Sequence, residues 1–188
     1  MQRQKKADAG RCYAVAVILM LAIAEARAQQ TPTNSERRIV VSIPDRKLAL
    51  VEDGRAVKIY PVAVGAHNSP SPTGTFKIVR RVSQPTYYHP GIVIPPGTEN
   101  PLGTRWIGLD RKGYGIHGTN QPRSIGQAAS HGCIRMSRAD LEELFARVRA
   151  GDIVEIHGRR DEELDAIFNS GTVLAARAEV QAGNGGQF

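Results

Sequence analysis

Ile39-Val40-Val41-Ser42-Ile43, followed by Lys47-Leu48-Ala49-Leu50-Val51-Glu52, sets the fold class of this 188-residue chain. The first run is β-branched and is stopped by Pro44-Asp45. In the second, Leu48 and Leu50 alternate with Ala49 and Val51. Asp53-Gly54 comes next, and Arg55–Val64 is again extended in character. An Asp-Gly pair between two such runs is a strong hairpin signal, because both turn residues must accept positive φ. The chain therefore begins with strand-like runs, the second and third joined as a hairpin.

The pattern continues downstream. Pro70-Ser71-Pro72-Thr73-Gly74 is a turn-rich link into a strand over Thr75–Val82. Gln84 to Gly103 contains Pro85, Pro90, Pro95, Pro96 and Pro101. That density excludes a helix and predicts a long loop of the kind that frames a site. Thr104–Leu109 and Tyr114–His117 read as strands around the turn at Asp110–Gly113. One helix is clear: Ser137 as N-cap, Asp140 at the capping-box position, Leu141, Leu144, Phe145 and Val148 at helical spacing, and Gly151 at the end. Asp152–His157 predicts a last strand and Asp161–Asn169 a short helix through Leu164, Ile167 and Phe168. Beyond Gly171 the composition suggests a frayed tail. No internal repeat is visible, and the class is mainly β with one or two short helices.

The N-terminal residues resemble an export signal. Arg3, Lys5, Lys6 and Arg11 precede the apolar run Tyr13–Ile23, which is short for a bilayer span, and Ala26-Arg27-Ala28 is an A-x-A cleavage pattern. An uncleaved anchor is the competing reading. Cleavage would leave residues 1–28 as signal, 29–38 as a polar lead-in, and a mature chain with no stable membrane span. It would also remove Cys12, so Cys133 would stand alone and no disulfide framework would be possible. Formal charge would fall from +7 to about +4. That is mildly basic, which suits an anionic polymer. With no basic stripe with interleaved aromatics, no nucleic-acid partner is expected.

Chemistry concentrates in Ser130-His131-Gly132-Cys133-Ile134-Arg135 and in Ile116-His117-Gly118-Thr119-Asn120. A thiol attacks as thiolate and needs a base or an imidazolium partner, so Cys133 is the candidate nucleophile and His117 its base. The other reading of Cys133 is a small buried hydrophobe. The second ring nitrogen of His117 needs an orienter. The Gly118 carbonyl and the side chains of Thr119 and Asn120 are the nearby options, with the carbonyl preferred, since residues 117–135 contain no carboxylate. The N–H groups of Gly132 and Cys133 are candidates for an oxyanion hole, Ser130 for shaping that turn, and His131 for a supporting hydrogen bond. Arg135 can hold a carboxylate in bidentate fashion. His67, His89 and His157 have no partner motif, although His89 beside Tyr87 and Tyr88 can line a cleft. The histidines lack the spacing of a zinc site, so no metal or other cofactor is expected.

These segments resemble the L,D-transpeptidase catalytic domain, also called YkuD-like. The matching text is Ile116–Asn120, Ser124-Ile125-Gly126 and Ser130–Met136, with Pro72–Phe76 and Asn100-Pro101-Leu102-Gly103 upstream. The likeness covers roughly residues 39–158 as a catalytic domain, leaving 159–188 as a C-terminal extension. It implies a β-sandwich core and a cysteine acyltransferase of the bacterial cell wall, located in the periplasm or cell-wall space. By that resemblance Cys133 attacks the diaminopimelate–D-Ala bond of a peptidoglycan tetrapeptide stem, and His117 protonates the leaving D-Ala. Arg135, with Ser130, Thr119 and Asn120, would contact substrate. The acceptor would be a second stem, giving a 3→3 cross-link, or a lipoprotein lysine. Water or a D-amino acid would make the enzyme a carboxypeptidase or exchange catalyst. A wall-binding protein without turnover is the alternative from another class. Carbapenems are expected to acylate Cys133.

Overall fold

β-branched runs form strands, and a strand buried on both faces reads as a continuous apolar run instead of an alternating one. The computed structural model describes residues 37–169. The proposed signal, most of the lead-in and the tail beyond Asn169 lie outside those residues. Strands β1 (Arg37–Ser42), β2 (Lys47–Glu52) and β3 (Arg55–Gly65) form an antiparallel meander. Asp53 and Gly54 take φ of 51° and 75°, as the tight turn requires. β1 starts earlier than the lead-in boundary at residue 38 because its two arginines are held. Arg37 pairs with Asp152 at 3.2 Å, and Arg38 with Glu155 and Glu163 at 2.8 and 2.7 Å.

Then follow β4 (Gly74–Ser83), β5 (Tyr87–His89), β6 (Ile92–Ile94), β7 (Arg105–Leu109), β8 (Gly115–His117), β9 (Ala128–Ser130), β10 (Ile134–Met136), helix α1 (Arg138–Arg147) and β11 (Ile153–His157). A second helix, α2, covers residues 162–169. Nine strands form one sheet in the order β10-β8-β7-β4-β11-β1-β2-β3-β9. β10 also pairs with β3, through Arg135↔Ala63 and Met136↔Val62. The expected sandwich-like core is built from this sheet, which curls until β10 meets β3.

The inside of the curl is apolar. Ile39, Val41, Leu48, Leu50, Ile107, Ile116, Ile134 and Met136 are at most 1 % exposed and join Leu141, Leu144 and Val148 from the α1 segment. Ser137 caps α1, its Oγ accepting from the Asp140 N–H at 3.2 Å. Gly151 does not end this helix. Val148 is drawn extended into the core, so the helix stops there, and Gly151 lies in the next turn with its N–H on the Ile78 carbonyl at 2.8 Å.

The outer face of the meander is covered too. Leu164, Ile167 and Phe168 of α2 pack on Val40, Ala49, Val51 and Ala56. This explains the unbroken apolar text of β1 and β2, and it makes the start of the extension part of the core. Leu164→Ala is expected to lower unfolding free energy by about 2–5 kcal/mol. Urea titration checks this; a change under about 1 kcal/mol would mean that α2 is a loose appendage.

The proline-rich segment is more ordered than a loop, since β5 and β6 pair as a hairpin. Buried Asn100 ties it down. Its Nδ2 lies within hydrogen-bonding distance of the Pro85, Ile94 and Pro95 carbonyls, and its Oδ1 accepts from the Leu102 N–H at 2.9 Å. The Gly118 N–H then bonds the Leu102 carbonyl at 2.9 Å. Gly103 and Gly118 meet back to back, and a Cβ on Gly103 would lie 2.9 Å from the Gly118 Cα.

Candidate active site

Side chains alternate between the faces of a strand, so residues two apart share one face. β8 and β10 run parallel, with Ile134 opposite Ile116 and Arg135 opposite His117. Ile116 and Ile134 point into the core. His117 and Arg135 therefore face outward. Cys133 lies in the turn just before β10, two residues ahead of Arg135. Cys133 and His117 open to the same side. Both line one cleft of about 780 Å³, together with Arg135, His131, Ser130, Trp106 and the β5 tyrosines Tyr87 and Tyr88. His89 is not in that lining; it stacks on Tyr87.

His117 is 6 % exposed, and its Nδ1 lies 2.6 Å from the Gly118 carbonyl oxygen. A carbonyl only accepts, so Nδ1 carries the hydrogen and Nε2 keeps a lone pair. The preferred orienter is thus in place. Thr119 and Asn120 are turned elsewhere. Thr119 Oγ1 accepts from the Gln121 N–H, and Asn120 Nδ2 donates to the Glu99 carbonyl. They shape the turn after β8, and neither is among the residues lining the cleft; Gln121 takes that place.

Burial lowers the His117 pKa to about 4, more than the Gly118 hydrogen bond raises it, and Arg135 adds to the fall. Burial raises the Cys133 thiol, against a backbone hydrogen bond from Gly115 and the charge of Arg135. At neutral pH the resting pair is therefore a neutral thiol and a neutral imidazole.

The turn holding Cys133 is braced by Ser130. Its Oγ accepts from the Gly132 N–H at 3.0 Å and donates to the Cys133 carbonyl at 2.6 Å. This corrects two expectations. The Gly132 N–H is occupied and does not share an oxyanion hole, leaving the Cys133 N–H as the donor candidate of that pair. The Ser130 hydroxyl spends its only proton on the turn and has none to donate to substrate. Gly132 is required here, since φ is 108° and a Cβ would meet Tyr114 Cε1 at 2.8 Å. His131 is exposed on the cleft rim.

Trp106 was not singled out by sequence reasoning. It pairs with His117 in register and stacks on the imidazole at 5.5 Å. Room for the indole comes from Gly108 and Gly115, where a Cβ would approach it to 2.7 Å. The signal available in the sequence was the Trp106-Ile107-Gly108 spacing opposite Gly115-Ile116-His117, which puts two glycines beside an aromatic once the strands pair. No group of three or more His, Cys, Asp or Glu residues suited to a metal occurs among the described residues.

The profile of the L,D-transpeptidase catalytic domain family, YkuD, matches residues 36–156. The chain belongs to this family. With it the chain belongs to the cysteine-dependent acyltransferases that cross-link peptidoglycan. It is 44% identical over 127 residues to a Bacillus licheniformis protein named L,D-transpeptidase YkuD, covering 68% of this chain and 69% of that one. In fold it is similar to an L,D-transpeptidase from Mycobacterium smegmatis, with TM-score 0.56, 22% identity, and 66% and 59% of the two chains covered. It is likewise similar to L,D-transpeptidase 3 from Mycobacterium tuberculosis, solved with a faropenem-derived adduct, with TM-score 0.53, 22% identity, and 65% and 60% covered.

Proposed function

We propose that this transpeptidase takes its acyl group from the diaminopimelate–D-Ala bond of a tetrapeptide stem and passes it to the amine of a second stem, forming a 3→3 cross-link. The observation that supports the reading is the presence of Cys133 and an imidazole whose Nδ1 is held by Gly118 in one cleft, with two arginines and no carboxylate in its lining. Cys133 Sγ attacks the carbonyl carbon as its proton passes to His117 Nε2. The tetrahedral intermediate collapses, the C–N bond breaks, and His117 returns the proton to the departing D-Ala amine. A thioester remains. The acceptor amine attacks it, gives its proton to His117, and the sulfur leaves and is reprotonated.

Arg135 enters none of the ion pairs among the described residues, which suits a guanidinium kept for a substrate carboxylate. The Cys133 N–H and His131, both from the cleft lining, are the groups we assign to support the developing oxyanion. Export to the periplasm or cell-wall space is part of the same proposal. It rests on the basic, apolar and A-x-A pattern of residues 1–28. No helix among the described residues is long and apolar enough to cross a membrane.

Mass spectrometry of products from a purified disaccharide-tetrapeptide tests the acceptor. A 3→3 dimer is expected. Tripeptide alone would make water the acceptor, incorporation of an added D-amino acid would make it an exchange enzyme, and a lipoprotein product would appear only when a lysine acceptor is supplied. No turnover together with no carbapenem adduct would leave a wall-binding protein.

A further inference from the structure

β4 carries two adjacent arginines with different fates. Arg81 lies opposite Ile107, on the inner face, and its guanidinium sits over the Phe145 ring of α1 at 4.2 Å. Arg80 lies opposite Gly108, on the outer face, is exposed, and lines the cleft. It enters none of the ion pairs formed among the described residues. The strand order β4-β7-β8-β10 puts Arg80, Gly108 and Gly115 in one cross-strand row on that outer face, and Cys133, in the turn one residue ahead of the Ile134–Ile116 pair, lies next along it. The two glycines make the middle of the row a trough, and the Trp106 indole fills it. A Cβ on Gly108 would lie 2.7 Å from Trp106 Nε1 and 3.5 Å from the Arg80 Cβ, and one on Gly115 would lie 2.7 Å from Trp106 Cζ2. An aromatic floor thus runs from Arg80 at one end to Cys133 at the other.

We propose that Arg80 is a second carboxylate-binding residue of the cleft, holding a donor-stem carboxylate remote from the bond that Cys133 attacks. The inference rests on the proposed tetrapeptide donor. Three inter-strand steps separate the two ends of the row by about 14 Å between Cα atoms. The Arg80 side chain and its contact with a carboxylate cover only part of that span, so a carboxylate held at Arg80 lies several bonds away from the carbonyl at Cys133. The D-Ala carboxylate is too near that carbonyl to reach Arg80 and falls within the range of Arg135. Two carboxylates of the stem sit six or seven bonds away, at about 8 Å when extended: the α-carboxylate of the γ-linked glutamyl residue and the side-chain carboxylate of diaminopimelate. Either would lie across the Trp106 floor. A planar guanidinium with no competing acid is suited to take it bidentately.

Trp106 is the single tryptophan of the chain, so its fluorescence reports occupancy of the floor between the two ends. Binding of the tetrapeptide donor is titrated with Cys133→Ala protein, which separates binding from turnover, with and without Arg80→Gln. Three donors are used: unmodified, amidated at the glutamyl α-carboxyl, and amidated at the diaminopimelate side-chain carboxyl. Arg80→Gln is expected to weaken the unmodified donor roughly tenfold. One amidated donor should bind with equal strength to both proteins, and its identity names the carboxylate. Arg80→Lys should retain part of the affinity, and added salt should narrow the difference. An unchanged Kd for the unmodified donor, an equal loss for all three donors, or no binding to the Arg80-containing protein overturns the proposal. Failure of the transpeptidase reading shows separately, as wild-type protein that forms no carbapenem adduct.

Discussion

Cys133→Ala is expected to abolish covalent capture of a carbapenem completely, leaving the intact mass of the protein unchanged after prolonged exposure. No other cysteine occurs among the described residues, and no other nucleophile in the cleft is paired with a base. The fold should survive. Cys133 is half-buried, and its Sγ makes only a long hydrogen bond to the Gly113 carbonyl at 3.5 Å and a backbone hydrogen bond from Gly115. Losing one sulfur there should move stability by about 1 kcal/mol or less. Intact-protein mass spectrometry, with a thermal melt of the same sample, separates the two effects. An adduct of unchanged stoichiometry on the alanine variant would remove Cys133 from the reaction.

His117→Gln should slow acylation by roughly 10²–10⁴-fold, the usual worth of a positioned general base. Glutamine keeps much of the volume beneath Trp106, so the readout is the base and not a collapsed core. The pH dependence gives a sharper signature. With a pKa near 4, His117 is neutral and competent across the neutral range, and wild-type acylation should fall only as pH drops through about 4. The glutamine variant should lack that limb. Stability follows the same group with a definite sign. Between the ordinary histidine value of about 6.5 and 4, the unfolded chain binds a proton that the folded site refuses, so unfolding free energy falls as pH falls through that window. His117→Gln should flatten this loss. Single-turnover acylation and urea titrations at pH 4 to 7 measure both. A variant that acylates at the wild-type rate would send the thiol proton to another group.

Much of the β-meander was visible in residues 39–64 because its signals are local. A β-branched run, a Pro-Asp stop and an Asp-Gly turn each act within a few residues. The α1 cap was equally legible, since Ser137 and Asp140 are three apart. β9 and β10 were not. Each has three residues, and each exists because distant segments supply partners: β10 lies between β8 and β3. The order inside the proline-rich segment was hidden for a related reason. One buried side chain, Asn100, holds it by bonds to backbone up to 15 residues away.

At the site, residue types offered a candidate nucleophile and a candidate base, and they pointed to the carbonyl that the imidazole Nδ1 meets. The sequence could not say that the Gly132 N–H is already spent on Ser130, or that Thr119 and Asn120 turn away. Nor could it place Trp106 under His117, or Arg80 in the row of Cys133. Those relations depend on which strands lie side by side and which face each residue shares, and pairings between segments tens of residues apart leave no periodicity in the chain. Reactivity was written in the local text, whereas burial, and with it the depressed imidazole and raised thiol, came from the sheet that closes around them.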